Sequence, residues 1–209
     1  MSRALDAVLF DMDGTLVEST KAVERAWTVV AGELSLDAVA LLAECHGRPA
    51  PDTVRRFCPE ADEATVARAA ARQLELQYSD LDDVVAMPGC AEALAAVERC
   101  GLRWAVVTSA DVPLAAARLG HCGIRPPLLV TADDIGRGKP DPEGYLTAAR
   151  GLGVEIGRCV VVEDSAVGVE AGRRSGALVA ALNGLGCDIA LTSLHDLASW
   201  LDHEVARRR

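Results

Sequence analysis

The sequence predicts an α/β protein, a doubly wound parallel sheet interrupted by an inserted all-helical segment. Three observations carry this prediction. Short apolar runs recur and end abruptly in polar residues, as Ala7-Val8-Leu9-Phe10 does before Asp11. Such runs are the mark of strands buried on both faces. After Met87-Pro88-Gly89 these runs alternate with helical stretches, the order of right-handed β-α-β units. Between Leu16 and Val84 there is no strand pattern, and roughly 65 residues, a typical small-domain size, read as helix.

Composition sets limits before any motif is considered. A chain of 209 residues admits one large domain or two modest ones. Half of the residues are apolar but only 3% are aromatic, so the core must be built from Ala, Val and Leu. A net charge of −10 opposes nucleic acid or an anionic membrane as partner. The seven cysteines form no CxxC pair, which argues against zinc or redox motifs and for a reducing, cytoplasmic setting. No apolar stretch reaches membrane-spanning length, and no leader is expected before the first strand. Arg207-Arg208-Arg209 reads as a solvated tail.

The elements follow in order. Ala7–Phe10 is the first strand. Helices are expected over Lys21–Gly32, Ser35–Ala43, Asp52–Phe57 and Ala61–Tyr78, with Asp52 capping the third. The fourth is rich in Ala, Arg, Glu and Gln, all good helix formers. Beyond Gly89, helices are expected over Cys90–Cys100, closed by Gly101, and Val112–Cys122, where Pro113 suits a first turn. Asp141-Pro142 should open a helix reaching about Gly151, and further helices cover Ala166–Arg174 and Leu194–Leu201. Strands are expected over Trp104–Thr108, Leu128–Thr131, Cys159–Val162 and Leu178–Leu182, with a weak one near Ile189.

Polar residues recur where strands end. The first strand delivers Asp11 and Asp13, the second Ser109, and the fourth Glu163 and Asp164. Gly138-Lys139-Pro140 precedes the helix leading to that fourth strand. Parallel topology brings these ends to one edge, where open α/β sheets bind ligands. Phosphoryl transfer is the chemistry that fits. Phosphate oxygens need cations, and Lys139 with a magnesium ion would supply them. Magnesium takes hard oxygen ligands, for which Asp11 and Asp164 are the natural pair. A carboxylate can attack phosphorus, and Asp13, two residues on, can move the proton. Ser109 and neighbouring backbone N–H groups can hold phosphate oxygens. A signalling receiver domain uses a similar set of groups, but it is shorter and has no helical insertion.

Taken together, Asp11-Met12-Asp13-Gly14-Thr15, Thr108-Ser109, Gly138-Lys139-Pro140 and Glu163-Asp164-Ser165 resemble the haloacid dehalogenase superfamily of phosphohydrolases, in order and over essentially the whole chain. The resemblance implies a Rossmann-like catalytic core over residues 1–17 and 85–209 and a helical cap over residues 18–84. It implies that Asp11 is nucleophile and magnesium ligand. Asp13 would be the acid/base and bind the metal through its backbone carbonyl. Ser109 and Lys139 would hold the phosphoryl group. Asp164 would ligate magnesium, with Glu163 a ligand or a support beside it. Substrate contacts are expected from Thr15, Glu18, His46, Gly47, Arg48, Ser109, Ala110 and Lys139.

Departures from the pattern narrow the choice. True haloacid dehalogenases and phosphonate-cleaving members lack the second aspartate, which is present here as Asp13. β-Phosphoglucomutases carry a histidine and a cap arginine where this chain has Val23 and Ala50. The stretches Ala22–Trp27, Cys45–Pro49 and Gly186–Ile189 resemble bacterial sugar phosphatases and yeast-type glycerol-3-phosphate and 2-deoxyglucose-6-phosphate phosphatases. The expectation is therefore a magnesium-dependent phosphatase of small sugar or polyol phosphates, monomeric or weakly self-associating. A phosphosugar mutase and a non-catalytic phosphate-binding protein are the alternatives.

Overall fold

The structure is a computed structural model and describes residues 4–45, 49–182, 184 and 186–206. The expectations for His46, Gly47 and Arg48, and for the tail Arg207-Arg208-Arg209, lie outside the described residues.

The elements run β1 (Ala7–Phe10), β2 (Val17–Glu18), α1 (Thr20–Glu33), α2 (Ala38–Cys45), α3 (Ala50–Phe57), α4 (Glu63–Ser79), β3 (Val85–Ala86), α5 (Cys90–Arg99), β4 (Arg103–Val107), α6 (Val112–His121), β5 (Leu129–Val130), α7 (Glu143–Leu152), β6 (Cys159–Glu163), α8 (Ala166–Ser175), β7 (Leu178–Ala181), β8 (Ile189–Ala190) and α9 (Leu194–Ala206). Short 3₁₀ turns occupy Ala132–Asp134 and Ile156–Arg158. The main sheet has the order β5-β4-β1-β6-β7-β8, with every neighbouring pair parallel. This is the doubly wound α/β fold that the alternating pattern predicts.

Strand β1 sits in the middle of the sheet, in register with β4 on one side and β6 on the other. All four of its residues are buried, as are all five of β6, which is why both read as unbroken apolar runs. With so few aromatics the core is tight and small-grained. Leu9, Ala105, Val107, Val161, Ala148 and Tyr145 form one cluster, while Phe10 meets Trp104 edge-on at a centroid distance of 6.2 Å. Helix α7 approaches the sheet through Gly144, where a Cβ would lie 2.8 Å from Val107 Cγ1.

The chain divides into two compact units, Met1–Glu18 with Val85–Arg209, and Ser19–Val84. The second contains α1 to α4 around its own core of Trp27, Val30, Leu41, Val54 and Val66. Two expectations of local structure change. Asp52 lies inside the first turn of α3, with Pro49 at the cap position. The capping aspartate of the unit's longest helix is Asp62, whose side chain accepts the Thr65 N–H at 2.8 Å. In the first unit, Asp141 accepts the Glu143 N–H at 3.0 Å while Pro142 takes the cap position of α7, so that helix begins one residue later than expected. The ends of the inserted segment are flanked by β2 and β3, an antiparallel pair in which Val17 opposes Ala86 and Glu18 opposes Val85. Two-residue strands are too short to show a period, so the sequence does not betray them. No helix among the described residues is long and apolar enough to cross a membrane.

Because Leu9 is fully buried at the centre of the sheet, Leu9→Ala should lower unfolding stability by about 3 kcal/mol through lost burial and a residual cavity. Urea denaturation followed by circular dichroism checks this.

Candidate active site

The register of three strands assembles the site. Phe10 pairs with Val106 on β4 and Val162 on β6, so the next residues of all three strands emerge at one edge. Asp11 continues the ladder by one step, its N–H donating to Val162 O at 3.0 Å. The chain then reverses at Gly14, whose φ of +82° is left-handed. The N–H groups of Leu16 and Val17 both return to Met12 O at 2.9 Å. Glycine is required there for a second reason: a Cβ would lie 2.1 Å from Asp164 Oδ2. The tip of the first motif thus rests directly against the last.

Asp11, Glu163 and Asp164 each offer a carboxylate oxygen, and these atoms lie within 4.8 Å of one another. Lys139 reaches into the group from the loop before α7, contacting Asp11 and placing Nζ 2.7 Å from Glu163 Oε1. It also lies 5.5 Å from the Tyr145 ring centroid. As ionised groups the three acids carry three negative charges and Lys139 one positive, leaving two negative charges in a site where Asp11 is only 7% exposed.

Burial pushes the Asp11 carboxyl well above the usual range, with Lys139 opposing the rise. Burial likewise raises Asp164 from 3.8 to about 6, helped by the charge of Glu163. Burial would lower Lys139, but Asp11 and Glu163 outweigh it and hold the ammonium above its ordinary value. Glu163 is desolvated too, yet Lys139 and its hydrogen bonds outweigh burial and hold it below the ordinary range. Carboxylates crowded and desolvated in this way suit a divalent cation, because it would cancel the charge that Lys139 leaves over.

Glu163 takes a different part from that of its neighbours. It is the last residue of β6 and fully buried. Oε1 accepts from Tyr145 OH at 2.7 Å and faces Lys139; Oε2 accepts from the backbone N–H groups of Asp164 and Ser165 and from Ser165 Oγ. Five donors occupy the four or so lone-pair positions of a carboxylate, so Glu163 braces Lys139 and the loop that follows β6. A Cβ at position 168 would fall 1.8 Å from Glu163 Oε1, so Gly168 is what lets α8 start against this side chain.

The other expected residues are placed as follows. Ser109 is exposed and shares a small cavity with Lys139, Thr108 and Asp141. The Ala110 N–H donates to Thr108 Oγ1 at 3.1 Å. Glu18 is half-buried on β2. Thr15 is fully buried and its hydroxyl has no hydrogen-bond partner among the described residues, so it sits inside the turn rather than on an open surface. Asp13 is 32% exposed at its side chain, and its Oδ1 is held by Arg118 Nη1 at 2.7 Å.

Neither Arg118 nor Tyr145 was anticipated. A signal existed for the first. On α6 the buried residues are Leu114, Ala115, Arg118 and Leu119, a helical stripe with one charge in it. Tyr145 lies on the corresponding stripe of α7 and looks from sequence like ordinary core.

Asp164 holds its proton more tightly when folded than when unfolded. The penalty for ionising it is therefore full above about pH 6 and absent below 3.8. Asp164→Asn should stabilise the metal-free protein by about 1–2 kcal/mol at pH 7.5. The gain should shrink as pH falls toward 4.5. Urea melts in EDTA at the two pH values measure it.

Comparison with known proteins agrees with this architecture. The haloacid dehalogenase-like hydrolase family profile matches residues 5–176. Hexitol phosphatase A of Escherichia coli K12 is 40% identical over 176 residues, covering 84% of this chain and 82% of the relative. 2-Deoxyglucose-6-phosphate phosphatase 1 of Saccharomyces cerevisiae is 34% identical over 220 residues, covering 94% and 84%. The crystal structure of CbbY from Rhodobacter sphaeroides in complex with phosphate is similar with a TM-score of 0.79 at 26% identity, covering 95% of this chain and 99% of that one. With its sheet order, its four motifs at one edge and these relatives, the chain belongs to the haloacid dehalogenase-like hydrolase family.

Proposed function

We propose that this protein is a magnesium-dependent phosphatase of small sugar or polyol phosphates, working through an aspartyl phosphate on Asp11. The observation that carries the reading is the buried cluster in which Asp11, Glu163 and Asp164 converge on one lysine with negative charge to spare. Relatives that act on hexitol phosphates and 2-deoxyglucose 6-phosphate support the substrate class.

Asp11 and Asp164, with the Asp13 backbone carbonyl, would hold the magnesium ion, leaving Glu163 as support. When bound, the ion supplies positive charge to the phosphate oxygens and lets Asp11 approach an anionic substrate. Lys139 orients Asp11 and faces the same phosphoryl oxygens, while the exposed Ser109 adds a neutral donor. Asp11 attacks phosphorus, and Asp13 gives a proton to the departing alcohol oxygen. Water then attacks the acyl phosphate, Asp13 takes the proton, and Asp11 is regenerated. The inserted helical unit would act as a cap that selects among leaving groups.

Phosphate release should be measured on a panel of hexitol 6-phosphates, 2-deoxyglucose 6-phosphate and glycerol phosphates. Activity should require added Mg2+ and disappear on chelation with EDTA. Asp11→Asn should lower kcat by roughly 1,000-fold or more, and the wild type should incorporate acid-stable but hydroxylamine-labile phosphate that the variant does not. Activity indifferent to Mg2+, or retained in Asp11→Asn, would overturn the reading.

A further inference from the structure

Arg118 presents a physical problem. It sits on α6 among Leu114, Ala115 and Leu119, is only 3% exposed, and carries a charge that an arginine keeps at any ordinary pH. Taking a charge out of water costs several kcal/mol unless a partner compensates. The partner the structure provides is Asp13, 105 residues away in sequence, at 2.7 Å. The pair is asymmetric: the guanidinium is enclosed, whereas the Asp13 side chain is 32% exposed. The arginine therefore stands behind the aspartate, not between it and solvent.

We infer that Arg118 is a positioning residue for proton transfer. By committing Asp13 Oδ1 to the protein, it sets the direction in which the carboxyl meets the leaving group and then water. The inference rests on the reading of Asp13 as acid/base. In the first step an Asp11 oxygen bonds to phosphorus and the bridging P–O bond breaks. Its electron pair stays on the departing oxygen, which receives the Asp13 proton. In the second step a water oxygen bonds to phosphorus and passes a proton to Asp13. The Asp11 O–P bond breaks and its electron pair returns to the Asp11 carboxylate. Both steps need the same carboxyl in the same place, and prior orientation is what makes such a transfer efficient. A protein that must bury a helix face anyway can hold that carboxyl with a cation rooted in the core.

Leaving-group dependence tests this, because an acid matters for an alkoxide and hardly at all for dinitrophenolate. kcat/KM reports the step that expels the leaving group, and it should be measured on a hexitol 6-phosphate and on 2,4-dinitrophenyl phosphate. Arg118→Met should lose about 100-fold on the alkyl phosphate and no more than about 5-fold on the aryl one, matching the bias of Asp13→Asn in direction. In the double variant Asp13→Asn/Arg118→Met, the second substitution should add less than about 2-fold. Equal losses on both substrates, or a full multiplicative loss in the double variant, would show a merely structural arginine and overturn the inference. Should Arg118→Met fail to fold by circular dichroism, Arg118→Lys serves. It keeps the charge but not the planar fork, so it should show a smaller loss with the same bias, and a loss without bias overturns the inference. If Asp13→Asn itself shows no bias, the acid/base reading fails and the inference with it. If Asp13→Asn is biased and the Arg118 variants are not, only the inference about Arg118 fails.

Discussion

Negative charge held out of water at the carboxyl end of a central strand is the constraint on which the rest of this molecule depends. Asp11 follows directly from the fully buried run Ala7–Phe10, so its carboxylate leaves the core at the point where the sheet ends. Glu163 and Asp164 reach the same point from β6 because the two strands are in register. Three acids at this spacing repel one another and are poorly solvated. Lys139 offsets one charge. The remainder makes the cluster suited to a cation and to a phosphate that arrives with one.

The surrounding residues are shaped by that constraint. Glu163, though acidic, is fixed by Tyr145, Lys139, Ser165 and two backbone N–H groups, so it behaves as a strut for the lysine. Gly14 and Gly168 are small because a carboxylate stands where a side chain would be. Arg118 gives Asp13 a counter-charge from α6, although the Asp13 charge still adds to the rise at Asp164. Two acids two residues apart thus meet different cations: Asp11 the lysine it shares with Glu163, Asp13 the guanidinium of Arg118.

Much of the fold was legible because buried parallel strands and amphipathic helices leave strong periodic signals, and Val160-Val161-Val162 or Leu178-Val179-Ala180 can hardly be read otherwise. Errors fell where signals are short or local. Asp52 and Asp62 are both acidic residues near helix starts, and only backbone geometry separates the first-turn residue from the cap. The β2–β3 pair is defined by a partner far along the chain, Ala86 for Val17 and Val85 for Glu18, not by composition. At the site, Asp11, Asp13, Lys139 and Asp164 stood out as charges at the ends of apolar runs or in a distinctive motif. Arg118 left a weaker signal, a single charge in the apolar stripe of α6, and Tyr145 left none, because an aromatic within such a stripe looks like core until its hydroxyl is given a partner.

The chain's own residues determined the order of strands and helices, the inserted helical segment and the types of group that would meet at one sheet edge, since those follow from hydrophobic period and from the cost of burying charge. Only the tertiary structure decided which oxygen faces which cation, that Glu163 accepts from Tyr145 and Ser165 while Asp164 stands against Gly14, that Thr15 is enclosed, and that Asp13 leans on Arg118. Such pairings join residues far apart in sequence, Lys139 and Asp11 by 128 positions, and distances of 3 Å depend on how sheet and helices pack, which no local pattern encodes.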